Sequence, residues 1–269
     1  MDSINTILNN TTKEKESEKM QACQYCGKPY VWYKKELFSG AQKRVLKIQV
    51  PDCKCIEERE KQQEHQIKMR NIAEKQAKLF ENSLMTPLFK DKTFKNLLKE
   101  ENLLKYNNAP IIHKCQEYAM QFIPKESSGI QMIGNPGTAK TTLLAAICNE
   151  LIRKNYSCLF TTLSNLIDKF ASYSYDNTGN ITPLLNWLTT FDFVVLDDIG
   201  RETYSDKRKE LVFRIVDTLL NNKVVTCFSA NPECITKLKS IPELSAVIDR
   251  LKDMCRVSIE FKGESFRGR

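Results

Sequence analysis

Two groups of residues in this sequence have the types and spacing to do chemistry. The first is GNPGTAKT, which runs Gly134, Asn135, Pro136, Gly137, Thr138, Ala139, Lys140, Thr141. It fits the phosphate-loop pattern G-x-x-x-x-G-K-[ST] everywhere except Ala139, where that pattern has glycine. In such a loop successive backbone N–H groups surround a β-phosphate, helped by the positive end of the following helix. Lys140 would reach the β- and γ-phosphates, the Thr141 hydroxyl would bind magnesium, and Thr142 supplies a spare hydroxyl. Ala139 donates its N–H as glycine would. Its effect depends on the backbone: the methyl group is tolerated where φ is negative.

A phosphate loop needs an acid opposite it to complete the magnesium site. The apolar run FDFVVL ends in Asp197 and Asp198, about 60 residues beyond the loop and after one intervening strand–helix unit. Asp197 is the expected magnesium partner and Asp198 the expected base that orients the attacking water. Glu202 is a further acid close by. Asn231 follows the strand-like VVTCFSA, so its amide should emerge at the same sheet edge and face the water or the γ-phosphate.

The second group is four cysteines. Cys23 and Cys26 form a CxxC pair, and after 26 residues Cys53 and Cys55 form a CxC pair. Four thiolates in two close pairs suit a structural, tetrahedral zinc ion. Gly27 permits the tight turn around the metal. YVWY and RVLKIQV between the pairs read as short strands of a zinc ribbon, and the lysines and aromatics there suit contact with phosphates, bases or a protein. The six other cysteines are scattered among apolar residues as small buried hydrophobes.

These sites need elements to hold them. GIQMI is an apolar run, and TTLLAAICNELI has Leu144, Ile147, Cys148 and Leu151 on one helical face, so the loop joins strand to helix. Strands and helices then alternate to the end, which predicts an α/β core with a parallel sheet and helices on both faces. Residues 1–22 are expected to be a flexible N-terminus, 23–55 a zinc-binding domain, 56–87 a linker containing an exposed helix, and 88–269 the nucleotide-binding domain. No run is apolar enough to span a bilayer and no secretory signal is visible, so a cytoplasmic protein with no membrane contact is expected. The net charge of +8 is compatible with an acidic partner such as nucleic acid.

The loop GNPGTAKT is similar to those of several AAA+ ATPases, and on that resemblance it is read as working. From about Leu88 to Arg267 the sequence resembles the AAA+ ATPases of the DnaC/DnaI/IstB group, through GNPGTAKTTLLAAICNEL, VVLDDIGRE, FSANPE and IDRLKDMCRVSIEFKGESFR. The resemblance implies an AAA+ core that binds ATP and Mg2+ and hydrolyses ATP, with Asn231 as the first sensor residue. It implies that Arg250 is an arginine finger offered to a neighbouring subunit, hence self-association through the ATP site, and it matches Arg267 to a terminal basic residue. It further implies a helicase loader acting in DNA replication initiation, with single-stranded DNA and a replicative DnaB-type helicase as partners and an N-terminal Zn2+ domain that docks on the helicase. The DNA would follow the helix around Ser164 to Tyr175, with Lys169, Tyr173 and Tyr175. The alternative within the fold is an IstB-like ATPase accessory to a transposase. A small-molecule kinase would need a lid and an acceptor pocket, for which no signature is present.

Overall fold

The computed structural model describes residues 12–14, 21–39, 42–100, 109–177 and 179–261. The chain divides into two compact units, Met1–Ile72 and Ala73–Arg269.

The first unit is a three-stranded antiparallel sheet in the order β1 (Thr12–Glu14), β2 (Tyr30–Ser39), β3 (Gln42–Pro51). β1, which pairs Thr12 with Lys34, lies within residues 1–22. Tyr30 pairs with Pro51 at the open end of the β2–β3 hairpin. That register explains the spacing of the cysteines. The residues just before β2 and just after β3 emerge together, so the long interval between the two pairs is spent on the hairpin itself.

Helix α1 (Cys55–Asn82) has strong helix formers throughout, no buried residue, and the boundary between the units within it. The expected linker extended to residue 87, but the last part of that stretch is built into the second unit. Leu79 and Phe80 pack against its core, Met85 is buried there, and the Phe160 N–H donates to the Ser83 carbonyl at 2.8 Å.

The second unit continues with α2 (Pro87–Lys90), α3 (Phe94–Leu97), α4 (Ala109–Gln121), β4 (Ile130–Gly134) and α5 (Lys140–Arg153). Then come β5 (Cys158–Thr162), α6 (Leu163–Asp176), α7 (Thr182–Leu188), β6 (Phe193–Ile199) and α8 (Asp206–Asn221). It closes with β7 (Val225–Ala230), α9 (Pro232–Lys239), α10 (Pro242–Met254) and β8 (Val257–Phe261). The five strands lie parallel in the order β5-β6-β7-β4-β8. Their alternation of faces builds two cores. Phe193 and Val195 join the layer of α4 and α5, while Val194 and Leu196 join that of α6, α8 and α10. A strand buried on both sides has to be apolar without a break, and this is why β6 reads FVVL before its acids.

Candidate nucleotide site and cysteine cluster

β4 delivers Gly134 to the sheet edge beside β7 and β8. A Cβ at Gly134 would lie 2.6 Å from Phe261 Cβ and 2.8 Å from the Phe261 carbonyl oxygen, so glycine is required here by the close approach of β8. The loop then turns through two left-handed residues, Gly137 with φ +77° and Ala139 with φ +68°. The favourable condition for Ala139, a negative φ, is therefore not met, and its methyl group sits in a conformation that normally selects glycine. α5 starts at the next residue.

Lys140 is buried and folded back over its own loop, donating to the carbonyls of Gly134 and Asn135 at 2.8 Å each and to Asn231 Oδ1 at 3.3 Å. Thr138 closes the loop from within through a 2.9 Å bond to the Asn135 carbonyl. The Thr141 hydroxyl lies 3.2 Å from Asp197 Oδ1. Lys140, Thr141, Asp197 and Asn231, predicted separately along the sequence, thus meet at one edge of the sheet.

Asp197 is 6% exposed, and burial raises its pKa above the usual carboxylate value, against the opposing pull of hydrogen bonds from Ser229 and Thr141. Ser229 joins the two acids. Its hydroxyl donates a short bond to Asp197 Oδ1 and accepts the Asp198 N–H at 2.8 Å, holding Asp198 at φ +58°. The Asp198 carboxylate is paired with Arg201 at 2.8 Å. Glu202 is turned away from the site: it is buried and accepts the Gly200 N–H and the Tyr204 hydroxyl, so it fixes the chain after β6.

A cleft of about 360 Å³ runs along residues 136–142 of the loop to Asp198 and Arg201, with Leu88, Phe89 and Lys92 on its far wall. Asn149 on α5 fixes that wall by donating to the carbonyls of Phe89 and Lys92 at 2.8 Å each. Sequence reasoning did not single out Ser229, Asn149 or Arg201. Ser229 and Arg201 sit inside motifs already noticed, FSANPE and DDIGRE, where the nearby Asn231 and Glu202 drew the attention. Asn149 had one available signal, an amide on the apolar face of α5.

In the first unit, the Gly27 N–H donates to the Cys23 carbonyl and the Cys23 N–H to the Lys28 carbonyl, both at 2.8 Å, with Gly27 at φ +72°. This turn brings Cys23 and Cys26 to Cys53 and Cys55, and the four sulfur atoms lie within 4.8 Å of one another. Backbone N–H groups of Tyr25 and Cys26 lower the Cys23 thiol to about 7, whereas its neighbours Cys26 and Cys53 push Cys55 up to about 12. Four thiols so crowded cannot all ionise without a cation among them. With zinc–sulfur bonds of about 2.3 Å, tetrahedral ligand atoms stand roughly 3.8 Å apart, which this cluster accommodates. The residues fit the metal.

Residues 105–269 match the model of the IstB-like ATP binding protein family. The chain belongs to that family. It is 29% identical to the replicative helicase loader DnaC of Escherichia coli K12 over 205 residues, 76% of this chain and 80% of that protein. Among solved structures, DnaI aligns with a TM-score of 0.53 at 20% identity, over 68% of this chain and 95% of that one. AMPPCP-bound DnaA from Aquifex aeolicus aligns at 0.53 and 18% identity, over 67% of this chain and 52% of that one. These two likenesses show an AAA+ core fold.

In this IstB-like core, Arg250 lies on α10, away from the cleft of its own chain. It stacks over the Phe213 ring with its guanidinium carbon 4.2 Å from the centroid, and stands 3.7 Å from Asp217 Oδ1, both on α8. Asp249 and Asp253, its neighbours in sequence, are not the partners seen. Arg267 lies outside the described residues. On α6, Lys169 is over the Trp187 ring at 5.3 Å, Tyr173 is partly buried and Tyr175 is exposed. Among the described residues no helix is long and apolar enough to cross a membrane.

Proposed function

We propose that this chain is a replicative helicase loader that hydrolyses ATP. The observation that carries the reading is the meeting of Lys140, Thr141, Asp197 and Asn231 at one sheet edge, in a family member that aligns with four-fifths of the length of DnaC. The loop N–H groups bind the phosphates, and Lys140 exchanges its hold on the Gly134 and Asn135 carbonyls for phosphate oxygens. Thr141 and Asp197 hold magnesium, which when bound neutralises phosphate charge. Ser229 keeps Asp197 aimed at the metal and fixes the backbone from which Asp198 orients the attacking water. Asn231 holds the water or the γ-phosphate from the opposite side. Arg250, which lies against α8 away from the cleft of its own chain, serves a neighbouring subunit's nucleotide, so that hydrolysis depends on self-association. Cys23, Cys26, Cys53 and Cys55 hold zinc in a unit that docks on the DnaB-type helicase. Lys169, Tyr173 and Tyr175 contribute to a single-stranded DNA path.

The match to an IstB-like family favours one second reading, an ATPase accessory to a transposase. Co-purification from the native host separates the two. Recovery of the hexameric replicative helicase, with ATP-dependent transfer of that helicase to single-stranded DNA that Lys140→Ala abolishes, supports the loader. Recovery of a transposase instead, or helicase transfer that Lys140→Ala leaves unchanged, refutes it.

A further inference from the structure

The cleft contains an arginine that the roles above do not use. Arg201 leaves β6 on a turn fixed at several points. The Asp198 N–H is held by Ser229, and Gly200 at φ +93° is pressed so closely on α9 that a Cβ there would lie 2.6 Å from Cys234 Cβ. The Gly200 N–H is taken at 2.8 Å by Glu202, itself buried and held by Tyr204. The residues on both sides of Arg201 are therefore held by packing and hydrogen bonds, while its side chain is half exposed, lines the cleft and reaches Asp198.

An acid at this position creates an electrostatic problem. Backbone N–H groups of the loop compensate the α- and β-phosphates and Lys140 reaches the β- and γ-phosphates, but a γ-phosphate that extends toward Asp198 still brings two anions together. Arg201, which lines the cleft and is paired with Asp198, is the cation of this chain next to that acid. We infer that Arg201 is a γ-phosphate sensor supplied in cis. Without a γ-phosphate its guanidinium neutralises Asp198. When ATP enters, the guanidinium transfers to a γ-phosphate oxygen and releases the Asp198 carboxylate to take a water. The planar fork of arginine suits either anion, and a partly exposed ion pair is weak enough to be exchanged. The idea rests on the reading of this cleft as an ATP site, and it deepens that reading by naming the residue that tells ATP from ADP.

The test is equilibrium titration of the full chain with Mg2+ and either β,γ-methylene ATP or ADP, the first carrying the third phosphate without being hydrolysed. Arg201→Ala should weaken the methylene analogue about tenfold, the size of one charge-assisted hydrogen bond, and leave ADP within about twofold. Arg201→Lys should recover part of the loss, since it keeps the charge without the fork. Asp198→Asn should tighten the analogue in both backgrounds, because the repelling carboxylate is gone, and should do so more strongly with Arg201 present, where an ion pair no longer has to be broken. Equal weakening of both nucleotides by Arg201→Ala, or no weakening of the analogue, overturns the sensor; so does additivity of the two substitutions. Lys140→Ala separates this failure from failure of the site: if that variant binds both nucleotides normally, the cleft is not the ATP site. A thermal melt of each variant checks the fold, which a half-exposed side chain should not disturb.

Discussion

Replacing Ala139 with glycine tests what the loop requires of this position. At φ +68° and ψ +15° the alanine is left-handed, which costs an L-residue roughly 1–2 kcal/mol. Glycine removes that strain but gives the unfolded chain more freedom, a loss of roughly 0.4–1 kcal/mol. It also removes a partly buried methyl group that packs on the core, a fraction of the ~0.8 kcal/mol of a fully buried carbon. These effects nearly cancel, so Ala139→Gly should change stability by less than about 1 kcal/mol, or under ~4 °C in melting temperature for a unit of this size. ATP affinity should be unchanged, since the N–H remains in place. Ala139→Val is the informative contrast. A β-branched side chain is a poor fit to left-handed backbone, and this variant should lose about 2–4 kcal/mol and weaken ATP binding as the N–H direction shifts. Thermal melts and ATP titrations of the two variants read both effects. A valine variant as stable and as tight-binding as the parent would show that the backbone at 139 is not left-handed, and the account of this loop would fail.

Asp197→Asn should reduce Mg-ATP binding at least tenfold while raising the melting temperature of the nucleotide-free protein at pH 7 by about 2–4 °C. Burial raises the Asp197 pKa, so the folded state holds this proton more tightly than the unfolded state does; its contribution is favourable at acid pH and is lost as pH rises through the folded value, and the pH dependence of the melt should flatten in the variant. Metal analysis should find one zinc per chain, and Cys23→Ser should remove it and unfold the first unit; a folded, zinc-free parent protein would return the four thiols to surplus cysteines. ATPase per subunit should rise with protein concentration and with single-stranded DNA, and Arg250→Ala should flatten both responses with ATP binding within about twofold; retention of either response would leave Arg250 as an α8-stacking residue.

What could be read from the sequence follows from how locally each feature is specified. The loop, the DD pair and the cysteine pairs are contiguous, so their chemistry shows in short strings, and alternation of strand and helix predicts the parallel sheet. The features that escaped depend on contacts distant in sequence. Ser229 matters because β7 lies beside β6. Gly134 looks like a phosphate residue, but β8, more than 120 positions later, also forbids a side chain there. The division between the units depends on Leu79, Phe80 and Met85, whose burial cannot be seen in a stretch that otherwise reads as a polar helix. The backbone angle of Ala139 was the one open question within the loop, and nothing local to the string could answer it.

The same contacts explain how a site built from three separated segments can be in register before nucleotide arrives. Lys140 ties the loop to Asn231 at the end of β7, Thr141 ties α5 to Asp197 at the end of β6, and Ser229 ties β7 to both acids of β6. Each of these bonds uses a group that nucleotide or metal would engage, or one next to it. Binding can therefore proceed by exchange of partners, with little ordering of chain. An exchange of this kind leaves the Asp197–Ser229–Asp198 link untouched, because Ser229 faces the acids from within the sheet. On the proposed reading the acids would keep their positions when nucleotide binds, and Lys140 and Arg201, which both line the cleft, would be the side chains that change partners.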